Sequence, residues 1–435
     1  MMIKNSLAKT VSFENYDNYK QSGVEWLGDI PEHWVLKRFK HIFKEKKATS
    51  NLDLNCGSIS FGKVVFKDDE KVPESTKRSY QVLNKGEFLI NPLNLNYDLI
   101  SLRIALSDKD VVVSSGYIIV QDIIELSKDY YKWLLHIFDV AFMKTLGAGV
   151  RQTLSFNLIA NTEFVFPLLK EQTAIAQFLD DKTTKIDQAI AIKEQQINLL
   201  KERKQILIHK AVTQGLNPNV SLKDSGVEWI GEIPEHWEVK PLKYIGNSII
   251  GLTYSPNDLC DEGNGTLVFR SSNLFQGKIK YGEKENVYVK SRISDKLMVK
   301  EDDILICSRN GSRDLIGKCA LISNDDVGAS FGAFTTVFRS EINPYIFCIL
   351  NSSIFKALSG SFLTSTINQL TIGNLNSIYV PVPPKEEREK LKHYINNFSQ
   401  KIETAIGLKQ QEIEKLKEYK NSLINSCVTG KVKVF

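Results

Sequence analysis

One internal repeat constrains this chain more than any other feature. Ser22–Trp34 reads SGVEWLGDIPEHW and Ser225–Trp237 reads SGVEWIGEIPEHW, so thirteen positions differ only at Leu27/Ile230 and Asp29/Glu232. Chance does not produce such a match, and a duplicated chain builds its fold from two copies of one unit. A weaker collinear pair closes each copy. RQTLSFNLIANTEFVFP at Arg151–Pro167 lies over INQLTIGNLNSIYVPVP at Ile367–Pro383, with Leu154 over Leu370 and Pro167 over Pro383. The variable sequence therefore lies between fixed borders.

After each closing proline comes a proline-free helical pattern, from about Glu171 to Thr213 and from about Glu387 to Thr429. Heptad positions a and d place Leu179, Ile186, Ile190, Ile197, Leu200 and Leu207 on one seam of the first. In the same register the second carries Ile395, Ile402, Ile406, Ile413, Leu416 and Leu423. The polar interruptions also coincide, Lys193 over Lys409 and Lys204 over Lys420, and matched polar seam residues fix register and pairing at some cost in stability. Each helix is expected to pair with the other. At 1.5 Å per residue such a helix is roughly 65 Å long, more than one turn of B-DNA, so the pair can act as a spacer.

Between the markers the pattern changes to short strand-like runs such as VVVSSGYIIVQD, ENVYVK and DDILICSR, broken by Gly, Asn and Asp turns. One shorter helix is expected in each region, from about Lys128 to Lys144 and from about Asn343 to Leu358. The fold class read from this is α+β. Two mixed α/β domains are separated by two long helices forming an antiparallel coiled coil, a tandem duplication with pseudo-two-fold symmetry. The expected division is an N-terminal segment with the first globular domain at 1–169 and a central helical spacer at 170–215. A second globular domain at 216–384 and a C-terminal helical spacer at 385–435 follow.

With 435 residues, 42% hydrophobic and 25% charged, the chain has enough apolar sequence for several cores and is not a disordered one. A formal charge of +5 permits a nucleic-acid partner without requiring one. The six cysteines are scattered, with no CxxC pair and no Cys/His cluster at zinc spacing, and read as reduced thiols. The N-terminus lacks an apolar signal core and the run Tyr345–Leu350 is too short to span a bilayer, so a cytoplasmic protein without membrane association is expected.

Motifs for chemistry within the chain are weak. Asn91-Pro92-Leu93-Asn94 lacks the second proline and the aromatic residue of an adenine-methyltransferase motif, and reads as a turn. Glu45-Lys46-Lys47 and Glu238-Val239-Lys240 match a nuclease-like E-x-K string too short to be informative, and no GxxxxGK(S/T) phosphate loop exists.

The opening GVEW(L/I)G(D/E)IPEHW, the exits after Pro167 and Pro383, and the order globular, helix, globular, helix resemble the specificity subunits of type I restriction-modification systems. The resemblance covers nearly the whole chain and departs where Arg388 stands opposite Gln172. It implies that the globular units are target-recognition domains, each reading one half of a bipartite, asymmetric double-stranded DNA site. It also implies that the helices dock two modification (methyltransferase) subunits and, through them, restriction (translocase and nuclease) subunits. The chain would then be non-catalytic, binding no cofactor itself, with S-adenosylmethionine, ATP and Mg in the partner subunits. The assembled complex would be an adenine-N6 methyltransferase and ATP-dependent endonuclease. The competing reading is a coiled-coil scaffold with two globular heads that binds proteins and never reads DNA.

Base readout needs Arg, Asn, Gln or Ser on loops, because Arg pairs bidentately with guanine and Asn or Gln with adenine. In the second domain the candidates are Arg270 and Asn273 in RSSN, Arg309, Asn310 and Arg313 in RNGSR, and Ser365 and Asn368 before the closing border. In the first they are Arg78, Arg103, Arg151 and Gln152. The alternative for each is a solvated turn or a phosphate contact. Lys37, Arg38, Lys40, Lys44, Lys46 and Lys47 either track phosphates or form a solvated face. Trp26, Trp34, Trp229, Trp237, His33 and His236, shared by both copies, read as core anchors.

Overall fold

A computed structural model describes residues 14–92, 102–143, 154–362 and 368–435 and divides the chain into two compact units. One comprises Met1–Lys193 with Gln411–Phe435, the other Glu194–Gln410. Both cuts fall within the long helices, because each helix half packs into the core of a globular head and does not stand as a separate body.

In the first unit a four-stranded antiparallel sheet is formed by β1 (Phe43–Glu45), β2 (Phe88–Ile90), β3 (Ile104–Leu106) and β4 (Ile118–Asp122), in the order β1-β4-β2-β3. Helix α1 (Lys128–Ala141) begins where the Ser127 hydroxyl accepts from the Tyr130 N–H, and buries Tyr131, Leu134, Leu135 and Phe138 at helical spacing. Helix α2 runs Leu169–Gln214. Phe43 meets Tyr131 edge to face at 5.4 Å inside a core that also takes Ile30 and Trp34 of the opening motif. Leu179 and Ile186 of α2, and Leu423, Cys427 and Val428 of the C-terminal helix, complete that core. The tryptophan expectation therefore holds for Trp34, which is fully buried.

The second unit repeats the frame. Strands β5 (Asn247–Ile250), β6 (Ile304–Cys307), β7 (Cys319–Leu321) and β8 (Thr335–Arg339) pair in the order β5-β8-β6-β7. The helix expected over Asn343–Leu358 is two helices, α3 (Asn343–Leu350) and α4 (Ser353–Ser361), because the Ser352 hydroxyl caps a new start by accepting from the Phe355 N–H. Helix α5 spans Lys385–Val428. Trp237 is fully buried, in the place of Trp34. This unit adds a sheet of Leu259–Cys260, Tyr288–Val289, Thr266–Phe269 and Ser330–Phe331.

The same bonds recur in both units. The Tyr131 hydroxyl donates to the Val165 carbonyl at 3.2 Å and that of Tyr345 to the Pro381 carbonyl at 3.1 Å. The backbone N–H of Asn84 donates to Glu87 at 2.8 Å, and that of Lys300 to Asp303 at 2.8 Å. These carboxylates are buried at the entry to β2 and β6 and are neutralised differently. Glu87 takes Lys46 at 2.7 Å and the Gln121 amide at 2.7 Å, whereas Asp303 takes Arg339 at 2.6 Å.

The seam pairs antiparallel within each unit. In the first, Lys193 bonds Glu412 at 2.5 Å and Lys420 bonds Asp187 at 2.7 Å. In the second, Lys204 bonds Glu403 at 2.7 Å. The Lys204 and Lys420 pairs are copies of one another in the duplication, so the seam lysines mark register by reaching acids on the facing helix. Leu179, Ile186, Ile197, Ile395, Ile402, Ile413 and Leu423 are buried, and Ile190, Leu200, Leu207, Ile406 and Leu416 half-buried. No helix among the described residues is long and apolar enough to cross a membrane.

Candidate nucleic-acid interface

In the second unit, four separate stretches of chain meet at the end of β6. Strand β6 delivers Ser308 and Arg309, whose backbone N–H groups both donate to the Phe334 carbonyl, at 3.1 and 3.0 Å. The Leu370 N–H donates to the Ser308 carbonyl at 2.8 Å, and Arg309 bridges Gln369. Asn310 turns the chain back, its Oδ1 accepting from the Ser312 N–H at 2.9 Å while its Nδ2 donates to the Ser271 hydroxyl at 3.0 Å. Asn368 donates to the Gly311 carbonyl at 3.3 Å. The loops at 252–254, 270–272 and 332–335 enclose a cavity of about 530 Å³.

Arg270, Arg309 and Arg313 make no ion pair among the described residues. Arg270 is half-buried, with one terminal nitrogen donating to the carbonyls of Lys284 and Glu285 and its Nε without a partner among the described residues. Arg313 is exposed and donates to the Gly360 carbonyl at 3.2 Å. Arg309 is exposed, its guanidinium 5.4 Å above the ring of Phe334. Cys307, the last residue of β6, is buried, its thiol pushed up by burial to about 11 and so left protonated at neutral pH.

Five of the predicted residues, Arg270, Arg309, Asn310, Arg313 and Asn368, thus belong to one cluster. The sixth described candidate of this domain does not read DNA from its position. Asn273 is 0% exposed, accepting from the Arg270 N–H and donating to the Lys280 carbonyl, so both ends of its amide hold a turn. Ser365, Arg151 and Gln152 lie outside the described residues.

In the first unit Arg78 is exposed and paired with Glu74 at 2.8 Å. Arg103 is 5% exposed and locked to Asp139, its Nε donating at 3.1 Å, which makes it an interior ion pair instead of a groove contact. Burial raises the Asp139 carboxyl, against the pull of Arg103. The basic stretch is likewise dispersed, with Lys46 committed to Glu87, Lys40 to Asn161, and Lys37 packed over Phe166 at 4.2 Å. His33 and His236, expected in the core, lie partly exposed and reach Glu171 and Glu387 at the helix starts, at 2.9 and 2.6 Å.

Phe334 is the residue that loop composition does not reveal. It is 60% exposed at the turn before β8, and a lone aromatic beside a strand reads as core until the turn is seen. The corresponding turn of the first unit, where the Tyr117 N–H donates to the Ser114 carbonyl as that of Thr335 does to Gly332, carries Gly116 in its place. Asn91-Pro92 occupies the position of Cys307-Ser308, the Leu154 N–H donating to the Pro92 carbonyl at 3.0 Å, so these two residues of the string read as a turn are the first unit's copy of this loop entry, and Leu93 and Asn94 lie outside the described residues.

Among the described residues no group of three His, Cys, Asp or Glu is placed to hold a metal ion. The family model of the type I restriction modification DNA specificity domain matches the chain twice, over residues 31–202 and 234–418. A specificity subunit of the type I restriction enzyme MjaVIII from Methanocaldococcus jannaschii is 25% identical over 98% of this chain and 98% of its own length. The EcoKI specificity subunit of Escherichia coli K12 is 23% identical over 46% of this chain and 44% of its own length. Among solved structures, a chain from work on assembly and conformational transition of the type I R-M system superposes with a TM-score of 0.70 at 13% identity, covering 92% of this chain and 98% of that one. The HsdS subunit of Thermoanaerobacter tengcongensis superposes with a TM-score of 0.52 at 13% identity over 93% of this chain and 98% of its own, and shares the fold.

Proposed function

The chain belongs to the type I restriction modification DNA specificity family, and from that premise we propose that its two units read the two unlike halves of one bipartite DNA site. The family's specificity subunits are not themselves catalytic. In this reading the chain docks two modification (methyltransferase) subunits and, through them, restriction (translocase and nuclease) subunits. Adenine-N6 methylation and ATP-dependent cleavage then belong to the assembly, with S-adenosylmethionine, ATP and Mg held by the partners and no cofactor by this chain.

The observation that carries the proposal is a shared frame with unlike loops. The sheet order, the buried carboxylates, the helix-start contacts and the seam ion pairs recur in both units, so two copies of one partner meet the same surface twice. The loop leaving β6 and the turn before β8 do not recur in composition, and base readout depends on such loop side chains. The helices supply the stiffness that a fixed gap between half-sites needs, since a flexible linker would spread that gap over many values.

The test is to purify the chain with a type I methyltransferase subunit from the same cells and titrate duplex DNA at several salt concentrations. Two methyltransferases per chain, with binding that depends on sequence and weakens steeply with salt, are expected. Binding that ignores sequence and salt would instead fit a protein scaffold.

A further inference from the structure

We infer that Arg309, its guanidinium placed over the ring of Phe334, reads the O6/N7 edge of a guanine in the half-site addressed by the second unit. The inference rests on the proposed function and adds a specificity-determining pair to it. Three observations converge on Arg309.

Its backbone is fixed from both sides. The N–H groups of Ser308 and Arg309 and the Ser308 hydroxyl all bond the Phe334 carbonyl at 3.0 to 3.1 Å, and Gln369 bridges Arg309 from the opposite strand. The same carbonyl therefore ties the arginine to the residue whose ring lies under its guanidinium.

Its side chain is oriented but not consumed. The guanidinium lies 5.4 Å over the Phe334 ring, and no side-chain hydrogen bond or ion pair of Arg309 occurs among the described residues. Arg270 and Arg313 each spend a nitrogen on backbone carbonyls, and the Asn310 and Asn368 amides are spent on the loop. Among the described residues, Arg309 alone in this cluster thus keeps its whole fork of donors for a ligand.

The support is itself exposed. Phe334 is 60% exposed at the mouth of a cavity of about 530 Å³, so the ring under the guanidinium faces outward. A phosphate asks only for charge. A planar fork matches two acceptors in one plane, and guanine O6 and N7 are that pair. Since Gly116 stands where Phe334 does, the first unit has no such platform at this turn, and the guanine belongs to one half-site only.

The experiment uses the purified complex of the full chain with its methyltransferase, and duplexes carrying the methylated motif or single-base changes in it. Expected is one guanine whose replacement weakens binding by wild type roughly ten- to hundredfold and leaves Arg309→Ala indifferent. Phe334→Ala is expected to lose part of the same discrimination, and both variants to keep discrimination at the other half-site. Uniform weakening over all duplexes, with the salt slope reduced by about one unit, makes Arg309 a phosphate contact and overturns the inference. So does unchanged discrimination in Arg309→Ala, or a wild-type motif without guanine. Absence of any sequence dependence in the wild type overturns the proposed function first, and this inference with it.

Discussion

At the turn entering the last strand of the sheet, the first unit places Gly116 and the second Phe334, on backbones that close with the same hydrogen bond. A few residues away the units agree again: Leu154 and Leu370 each donate an N–H to the carbonyl at the exit of the strand before the candidate loop. Agreement is found where the chain holds its own fold, and difference where it presents side chains outward. The buried carboxylates refine this. Glu87 and Asp303 sit at one position and make one backbone bond, yet draw their cation from different places, Lys46 just past the end of β1 and Arg339 from β8. A frame tolerates exchange of the neutralising group provided the buried charge stays paired, because an unpaired one is far costlier than either solution.

The comparison breaks most severely if the helices do not set the distance between the readers. Deleting the matched heptads Ile192–Asn198 and Leu408–Glu414 together keeps the seam phase and removes about 10 Å of helix. The expected outcome, by methylation mapping, is loss of the native site and a gap shorter by about three base pairs, with both half-sites unchanged.

Next in size is the carboxylate position. Lys46→Met leaves Glu87 buried without its cation and is expected to cost the first unit about 3 kcal/mol in urea unfolding, while the second unit's transition stays in place. The same pair gives the acid limb. Burial by itself raises the Glu87 carboxyl, but Lys46, the Asn84 N–H and the Gln121 amide outweigh it and leave it below its ordinary value. Its stabilisation is therefore complete above the usual carboxylate range and disappears as pH falls through the lowered value. Wild type should lose this stability in acid, and Lys46→Met should show a weaker acid dependence.

The tryptophans give a smaller, sharper contrast. The indole N–H of Trp237 donates to Glu387 at 2.9 Å, whereas that of Trp34 is buried without a partner among the described residues. Trp237→Phe is expected to destabilise its unit by about 1 kcal/mol more than Trp34→Phe does, because only the former breaks a bond to a carboxylate. Smallest is the helix start. Gln172 donates to the Pro167 carbonyl at 2.9 Å and accepts from the Ser127 N–H, while Arg388 keeps the first contact, donating to the Pro383 carbonyl at 2.6 Å. An arginine has no acceptor to offer for the second. Arg388→Gln should change the second unit's stability by no more than about 0.5 kcal/mol.

The parts legible in the sequence were those written in local periods. Identity across the two openings gave the duplication, and the shared heptads gave both helices to within two residues of Leu169 and Lys385. What escaped depends on partners distant in sequence or on a single turn. Arg103 reads as a loop arginine until Asp139 is found beside it, and Asn273 as a groove contact until its amide turns inward. Ser352 divides one apolar run into two helices by capping, which the hydrophobic pattern does not register. Phe334 looks like core because strand-flanking aromatics usually are, and only the turn exposes it.

The most direct test of the central claim, two unlike readers on one repeated frame, is genome-wide mapping of adenine N6-methylation in cells expressing this chain with its methyltransferase, against cells lacking the chain. The account predicts a single motif that depends on this chain, made of two short, different specified sequences around a fixed gap. Two identical halves, one uninterrupted motif, or no new methylation from a stable complex would contradict it.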